Sequence, residues 1–208
     1  EEMTGNYKYI IGFPTAGGNM MGQKLNCILF DHIMLESEEK AMISNYKDLE
    51  GLLKSADIKT EIPYDMVEWI WIHMAINAGV TSTAAREGNI DDPKQLAIDL
   101  MKDSRALAIA VKSIRETVKV VKARGVNLGL YKNELLPYRV PSAIAGIIMK
   151  QMFSGNELTS RIMTLHNDIN DIMYTCRSIY KTKKKKKLDL PLFYSNMDKI
   201  FRQSDSDS

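Results

Sequence analysis

Of the three histidines in this sequence, His73 has the neighbours best suited to chemistry. It lies in residues 69–77, which read WIWIHMAIN. If this segment is helical, His73 and Asn77 lie one turn apart and share a face with Trp69. An imidazole and a carboxamide in that arrangement could donate hydrogen bonds to a substrate oxygen. The alternative is a partly exposed histidine followed by an asparagine that caps the helix.

A second group of polar side chains surrounds His166, with Asp168 and Asp171 close by in the sequence. An imidazole and two carboxylates could form an acid/base or metal cluster. No second histidine lies three or four residues away, as a helical metal site would need, and we expect no metal. The alternative is a solvated face of a helix.

The two cysteines, Cys27 and Cys176, are far apart and lack the C-x-x-C spacing of zinc and redox sites. Unpaired cysteines are typical of a reducing compartment, so we expect a cytoplasmic protein. Cys176 falls on the apolar stripe of a predicted helix. It is therefore expected to be a small core residue and not a reactive thiol.

Two further motifs could bind anions. Residues 13–18, FPTAGG, predict a glycine-rich turn after a short strand. They match neither the G-x-G-x-x-G of dinucleotide sites nor a P-loop. The lysine run at residues 183–187 could attract nucleic acid or an anionic membrane. Because no aromatic residues are interleaved with it, a solvated loop is the preferred interpretation.

The hydrophobic pattern predicts a small β segment followed by helices. Residues 7–13 and 25–34 have the composition of strands. From Ser37, the predicted first N-cap, apolar residues recur at intervals of three and four residues, which is typical of helices. Asp92 and Pro93 mark the start of the longest predicted helix. The predicted helices cover residues 37–56, 64–79, 93–125, 141–153, 157–180 and 196–201. The residues of the second helix that are expected to face the core are Val67, Ile70, Trp71 and Met74.

The pattern also predicts the domain organisation. Residues 1–36 are expected to be the terminal strands of an incomplete β-containing domain, and residues 37–202 an all-helical domain. Residues 203–208, in which serine and aspartate alternate, are expected to be a disordered tail.

The composition argues against several classes of protein. The 208 residues are 45% hydrophobic and 26% charged, with a formal net charge of +2, which is typical of a globular domain. This balance is not that of a protein that mainly binds nucleic acid, and the sequence contains neither a membrane-spanning segment nor a signal peptide. We therefore expect no nucleic-acid and no membrane partner. Because the chain begins at Glu1 and soon enters an apolar run, we expect a piece of a longer protein.

Several segments, in order, resemble the ketopantoate reductase (2-dehydropantoate 2-reductase) family. They are residues 12–18 (GFPTAGG), 57–62 (DIKTEI), 71–78 (WIHMAINA) and 188–191 (LDLP), together with the pairs Thr83-Ala84 and Pro141-Ser142. The third segment is similar to the family signature W-x-K-L-x-x-N-A. The resemblance implies that residues 1–36 are the end of a Rossmann dinucleotide-binding domain. Residues 37–202 would then be a bundle-like helical domain for substrate binding and dimerisation, similar to the C-terminal domain of 6-phosphogluconate dehydrogenase.

The resemblance also implies a function, the NADPH-dependent reduction of a 2-keto acid held between two domains. The catalytic residues that it implies are His73 and Asn77. His73 stands at the position of the family's general-acid lysine, and Asn77 matches an asparagine that helps to hold the substrate. A free imidazole can act as a general acid near neutral pH, so reduction can survive this replacement. Ser142 matches a serine that contacts the substrate carboxylate. The carboxylates nearest to the family's late acidic residue are Asp168 and Asp171.

The same resemblance places a short segment near the nicotinamide ring of NADP, and the cofactor-binding residues that it implies are Thr15, Ala16 and Gly17. The rest of the cofactor site is expected in an N-terminal part outside this sequence. This chain alone should therefore bind NADPH poorly.

Several alternatives stay open. The substrate could be ketopantoate, which would place the protein in pantothenate biosynthesis, or a different 2-keto acid. A homodimer is compatible with this interpretation. The chain could instead be a non-catalytic helical interaction module derived from the same fold. A further hypothesis is a helical protein that binds an acidic or nucleic-acid partner through residues 183–187.

Overall fold

The computed structural model describes residues 8–165 and 169–206, and it begins with a small sheet. Its strands are β1 (Gly12–Met21), β2 (Lys24–Leu35) and β3 (Lys59–Glu61). β1 pairs with β2 in antiparallel register, and β2 pairs with β3 in parallel register, so that β2 is central. Gly22, with a φ of 63°, makes the tight turn of the β1–β2 hairpin.

The predicted turn at residues 13–18 is wrong, because these residues lie within β1. Pro14 is tolerated there since β1 is an edge strand, where a missing backbone N–H removes little pairing. The register shifts between Pro14 and Ala16, which is the local irregularity that proline introduces. The chain reverses only at Gly22.

The rest of the described chain is mainly helical, as predicted. The helices are α1 (Tyr46–Ser55), α2 (Met66–Glu87), α3 (Pro93–Lys102), α4 (Ser104–Ala123), α5 (Lys132–Leu135), α6 (Ser142–Gly155), α7 (Glu157–Met163), α8 (Ile169–Lys186) and α9 (Pro191–Ser206). A mainly helical chain with a small sheet is thus confirmed, but residues 37–202 are not all-helical, because β3 lies within them and pairs with β2. Within the described ranges, no helix is both long and apolar enough to cross a bilayer.

Several helix boundaries differ from the prediction. The first helix begins at Tyr46 and not after Ser37. The long helix predicted over 93–125 is two helices, because Asp103 leaves helical geometry and its carboxylate accepts a hydrogen bond from the Arg105 backbone N–H at 2.7 Å. The predicted fifth helix is likewise divided into α7 and α8.

Two segments near the C-terminus are more helical than predicted. Residues 183–186 of the lysine run belong to α8 and not to a loop. Helix α9 starts at Pro191 and continues to Ser206, four residues into the segment expected to be a disordered tail.

Helix α2 is the centre of the helical domain. It packs against α4, α8, α9 and α3. Gly79 allows α4 to approach closely, because a Cβ atom there would lie 2.6 Å from the backbone nitrogen of Ile114. The expected core face of α2 is incorrect in part: Val67 is exposed, whereas Trp69 and Ile72 are buried. A helix with neighbours on several sides has no single apolar stripe from which its orientation can be read.

Candidate functional site

The start of α2, which carries His73, is held by polar contacts. Asp65 caps the helix by accepting a hydrogen bond from the Glu68 backbone N–H at 2.9 Å, and the Lys40 ammonium lies 2.8 Å from the same carboxylate. The Tyr131 hydroxyl donates to the Glu68 carboxylate at 2.6 Å. These contacts fix the position of the turns that precede His73.

His73 belongs to an aromatic cluster that we define as Phe13, Trp69 and His73. The imidazole stacks on the Trp69 indole, with ring centroids 3.8 Å apart and an interplanar angle of 25°. The Phe13 ring lies 5.3 Å from Trp69 in an edge-to-face arrangement and 6.4 Å from His73. Strand β1 therefore meets helix α2 at His73.

The imidazole of His73 is half-buried, and its Nδ1 atom is buried with no hydrogen-bond partner among the described residues. Burial lowers the pKa of His73 below its ordinary value of 6.5. The nearby Trp69 carbonyl opposes this shift but does not form a hydrogen bond with Nδ1. Buried polar atoms usually have partners, so an orphaned ring nitrogen is a feature to explain.

This arrangement agrees with one part of the sequence prediction. Trp69 and His73 do share a face of the helix, since their rings stack. The structure also joins two segments of the resemblance, because Phe13 comes from residues 12–18 and His73 from residues 71–78. The sequence did not single out Phe13, which lies sixty positions before His73 and has no local signal that could reveal the contact.

Two of the other predicted site residues, Asn77 and Ser142, lie on different helices. Asn77 is exposed on the next turn of α2, and Ser142 begins α6, which packs against α4. In the described part of the chain, no hydrogen bond links either side chain to the aromatic cluster. Asp168 lies outside the described residues, and Asp171 is described only as a position in α8. Their predicted roles stay predictions.

The three residues predicted to bind the cofactor are engaged within the sheet and its surroundings. The Thr15 hydroxyl donates to the His32 carbonyl. Ala16 pairs with Leu29 in the hairpin. A Cβ atom at Gly17 would lie 2.6 Å from the Ile162 side chain, so this glycine allows α7 to pack on β1. Next along the strand, the Asn19 amide donates to the Leu165 carbonyl at 2.7 Å.

Two cavities are prominent, and neither includes His73. One, of about 380 Å³, lies between the end of α2, α3 and the start of α4. The other, of about 560 Å³, lies between α1 and β3 and is lined mainly by polar residues. Within the described residues, no cluster of histidine, cysteine, aspartate and glutamate could hold a metal ion. The aromatic cluster is therefore the candidate site that the geometry supports.

Comparison with known proteins finds similarity in structure and not in sequence. No family model matches the chain, and no curated protein matches it significantly. A dimeric ketopantoate reductase from Staphylococcus aureus matches 95% of this chain with a TM-score of 0.57 and 12% identity, and 62% of that chain is covered. A D-mandelate dehydrogenase in a ternary structure with NADH and anilino(oxo)acetate matches 94% of this chain, with a TM-score of 0.55 and 14% identity.

A structure of D-mandelate dehydrogenase with NADH also matches, over 95% of this chain and 62% of that one, with a TM-score of 0.52 and 15% identity. The chain thus spans about three fifths of the length of the ketopantoate reductase that it matches. Likenesses at such low identity show a common fold and not a common activity. The chain therefore has the fold of a large part of the ketopantoate reductase and D-mandelate dehydrogenase chains.

Proposed function

We propose that this chain is the substrate-side part of an NADPH-dependent 2-keto acid reductase, in which His73 donates a proton to the substrate. The observation that carries this proposal is the buried Nδ1 atom of His73, which has no partner among the described residues and lies where β1 meets α2. The ring is only partly buried, so a bound molecule can contact it, and no described group competes for Nδ1. The shared fold with two kinds of 2-hydroxy-acid or 2-keto-acid enzymes supports the same reaction class.

The chemistry requires a proton donor at a defined place. When a ketone carbonyl is reduced, negative charge builds on its oxygen, and a donor within hydrogen-bond distance stabilises that charge. Because the pKa of His73 is lowered, the free imidazole is mostly neutral at pH 7. A bound carboxylate close to the ring would raise this pKa, so the substrate anion itself would favour the protonated donor.

The described residues do not by themselves form a dinucleotide site. Thr15 and Gly17 are engaged with His32 and Ile162, and they lie in a strand and not in a glycine-rich turn before a helix. We therefore propose that NADP is held mainly by protein outside this sequence. Of the predicted site, Asn77, Ser142, Asp168 and Asp171 are proposed as further substrate contacts.

The location and the assembly are also proposed. Cys27 and Cys176 are unpaired, which supports a reducing, cytoplasmic location. A homodimer is supported by the dimeric state of the ketopantoate reductase with the same fold.

A kinetic experiment tests the proposed chemistry. The whole protein that contains this chain is mixed with NADPH and a panel of branched and aryl 2-keto acids, and NADPH oxidation is followed by absorbance. We expect turnover with at least one acid, and a decrease of about 100-fold or more in kcat for His73→Ala. His32→Ala is the matched control and should keep the wild-type rate. A wild-type rate in His73→Ala would exclude His73 as the proton donor.

A second candidate function, a non-catalytic interaction module, is favoured by the internal contacts of Thr15 and Gly17. These contacts leave the predicted cofactor residues with structural roles. The module hypothesis predicts that the whole protein binds no NADPH in calorimetry. Measurable binding would exclude it.

A further inference from the structure

Helix α6 carries an apolar face that nothing in the described chain covers. Ile144, Ile147, Ile148 and Met152 are 51%, 51%, 53% and 46% exposed. Their spacing of three, four and eight residues places them on one side of the helix. We call these four residues the α6 face. Isolated exposed apolar residues are common, but a contiguous set on one helix face marks an interaction surface.

The opposite side of α6 packs closely against α4, so the apolar face of α6 points away from the helical domain. A Cβ atom at Gly146 would lie 2.3 Å from the Ser104 carbonyl oxygen and 2.8 Å from the Ala108 backbone nitrogen. This close approach holds α6 against α4. In the segment just before α6, the Arg115 guanidinium donates to the Tyr138 carbonyl at 2.6 Å and also to the Val140 carbonyl. A helix that is apolar on both sides is normally buried on both sides.

We propose that the α6 face is where a second copy of this chain binds, with the two α6 helices antiparallel about a twofold axis near Ile148. The charge of the helix supports this occupant. Lys150 is the only charged residue of α6, and it lies about 200° around the helix from Ile148. Two copies can therefore meet face to face without like-charge repulsion, and the face offers nothing that would select a charged partner.

The size of the face agrees with a weak homodimer. At these exposures, the four side chains present roughly 400 Å² of apolar surface on each copy, within the range of the largest patches on protein surfaces. Two such faces give about 800 Å², and flanking residues such as Ala143 and Gln151 add to it. The total is at the low end for specific interfaces. The dimer should accordingly dissociate on dilution.

This inference rests on the homodimer in the proposed function, and it is independent of the proposed reductase chemistry. Sedimentation over a range of concentrations tests it. We expect the whole wild-type protein to approach twice its monomer mass, and Ile148→Glu to raise the dissociation constant by at least about tenfold. Leu52→Glu is the matched control, because Leu52 is 65% exposed on α1. It should dimerise like the wild type.

Leu29→Glu is an informative third variant, because Leu29 is 72% exposed on β2, in a hairpin that also exposes Met20, Met21 and Leu25. Loss of the dimer in this variant alone would overturn the proposal and place the interface on the hairpin. A wild type that stays monomeric at high concentration would overturn both the interface and the homodimer. Neither result would affect the turnover expected with a 2-keto acid. Equal thermal stability of the variants confirms that each is folded.

Cysteine cross-linking tests the orientation. The variants carry Cys27→Ser, because Cys27 is exposed and could cross-link by itself. Ile148→Cys should form a disulfide-linked dimer on mild oxidation, since position 148 faces its own copy across the axis. Ile144→Cys alone should not, because two such residues would lie about 12 Å apart along antiparallel helices, beyond disulfide reach. Adding Met152→Cys to Ile144→Cys should restore the link. A disulfide-linked dimer of Ile144→Cys alone, with none of Ile148→Cys, would exclude the antiparallel arrangement.

Discussion

The imidazole of His73 lies on the indole of Trp69, with ring centroids 3.8 Å apart. The stack fixes the plane of the imidazole and removes one of its faces from water. Phe13 contacts both rings from strand β1. A proton donor that must reach a substrate oxygen benefits from such a fixed orientation, because less freedom is lost when substrate binds.

The titration of His73 tests this environment. Burial lowers the pKa of His73, so NMR should give a value below 6.5 for this residue. Phe13→Ala removes a ring that covers the imidazole and should raise the pKa towards its ordinary value. Adding a 2-keto acid that binds at the site should raise the pKa of His73. An unchanged pKa in Phe13→Ala would show that Phe13 does not shield the ring.

The same shift makes stability depend on pH. The pKa of His73 is about 6.5 in the unfolded chain and lower in the folded chain. At pH values between these two pKa values, the unfolded chain binds more protons than the folded chain. This contribution to stability is therefore complete above pH 6.5 and is lost as the pH falls through the pKa of the folded state. Denaturant unfolding of wild type and His73→Leu at several pH values isolates the effect. The difference in the free energy of unfolding between the two proteins should change only between pH 6.5 and the lower pKa of folded His73.

Glu116 connects helices α4 and α9, and its removal should destabilise the domain. Its carboxylate accepts hydrogen bonds from the backbone N–H groups of Leu192 at 3.2 Å and Phe193 at 2.9 Å. Glu116→Ala should lower the free energy of unfolding by about 1–3 kcal/mol, because the helix N-terminus loses its acceptor. Glu116→Gln keeps an acceptor oxygen, so its free energy of unfolding should decrease less than that of Glu116→Ala. Equal losses in chemical denaturation would show that the bonds themselves contribute little.

Two glycines should respond to alanine in opposite ways. Gly79→Ala would place a Cβ atom 2.6 Å from the Ile114 backbone nitrogen, so that α2 and α4 must separate, at a cost of about 1–3 kcal/mol. Gly51 lies in α1 with open space around it. Gly51→Ala should stabilise the protein by about 0.5–1 kcal/mol, because alanine favours the helix. Melting temperatures compare the two variants, and a stable Gly79→Ala protein would contradict the close packing.

The two cysteines should differ in reactivity. Cys27 is exposed, whereas Cys176 is buried, and burial raises the pKa of the Cys176 thiol to about 12. Ellman's reagent should therefore modify one thiol in the native protein and two after denaturation. Cys27→Ser should leave no rapidly reacting thiol. Fast native labelling of that variant would mean that Cys176 becomes accessible by local opening.

Some features could be predicted because their cause is local. Asp92 caps α3 and Pro93 occupies its first turn, as their order in the sequence indicated. Cys176 lies in the core, as its place on an apolar stripe predicted. The break at Asp103 was missed, because the apolar period continues across it while the aspartate begins a new helix.

The sequence by itself determined that this chain is mainly helical, where most helices lie, and that Trp69 and His73 share a helix face, since periodicity and capping act over a few residues. Only the tertiary structure decided that Phe13 contacts His73, that Gly79 lies against Ile114, and that Thr15 and Gly17 have internal partners. These contacts join residues far apart in the chain. They depend on how whole elements pack, which no local pattern encodes.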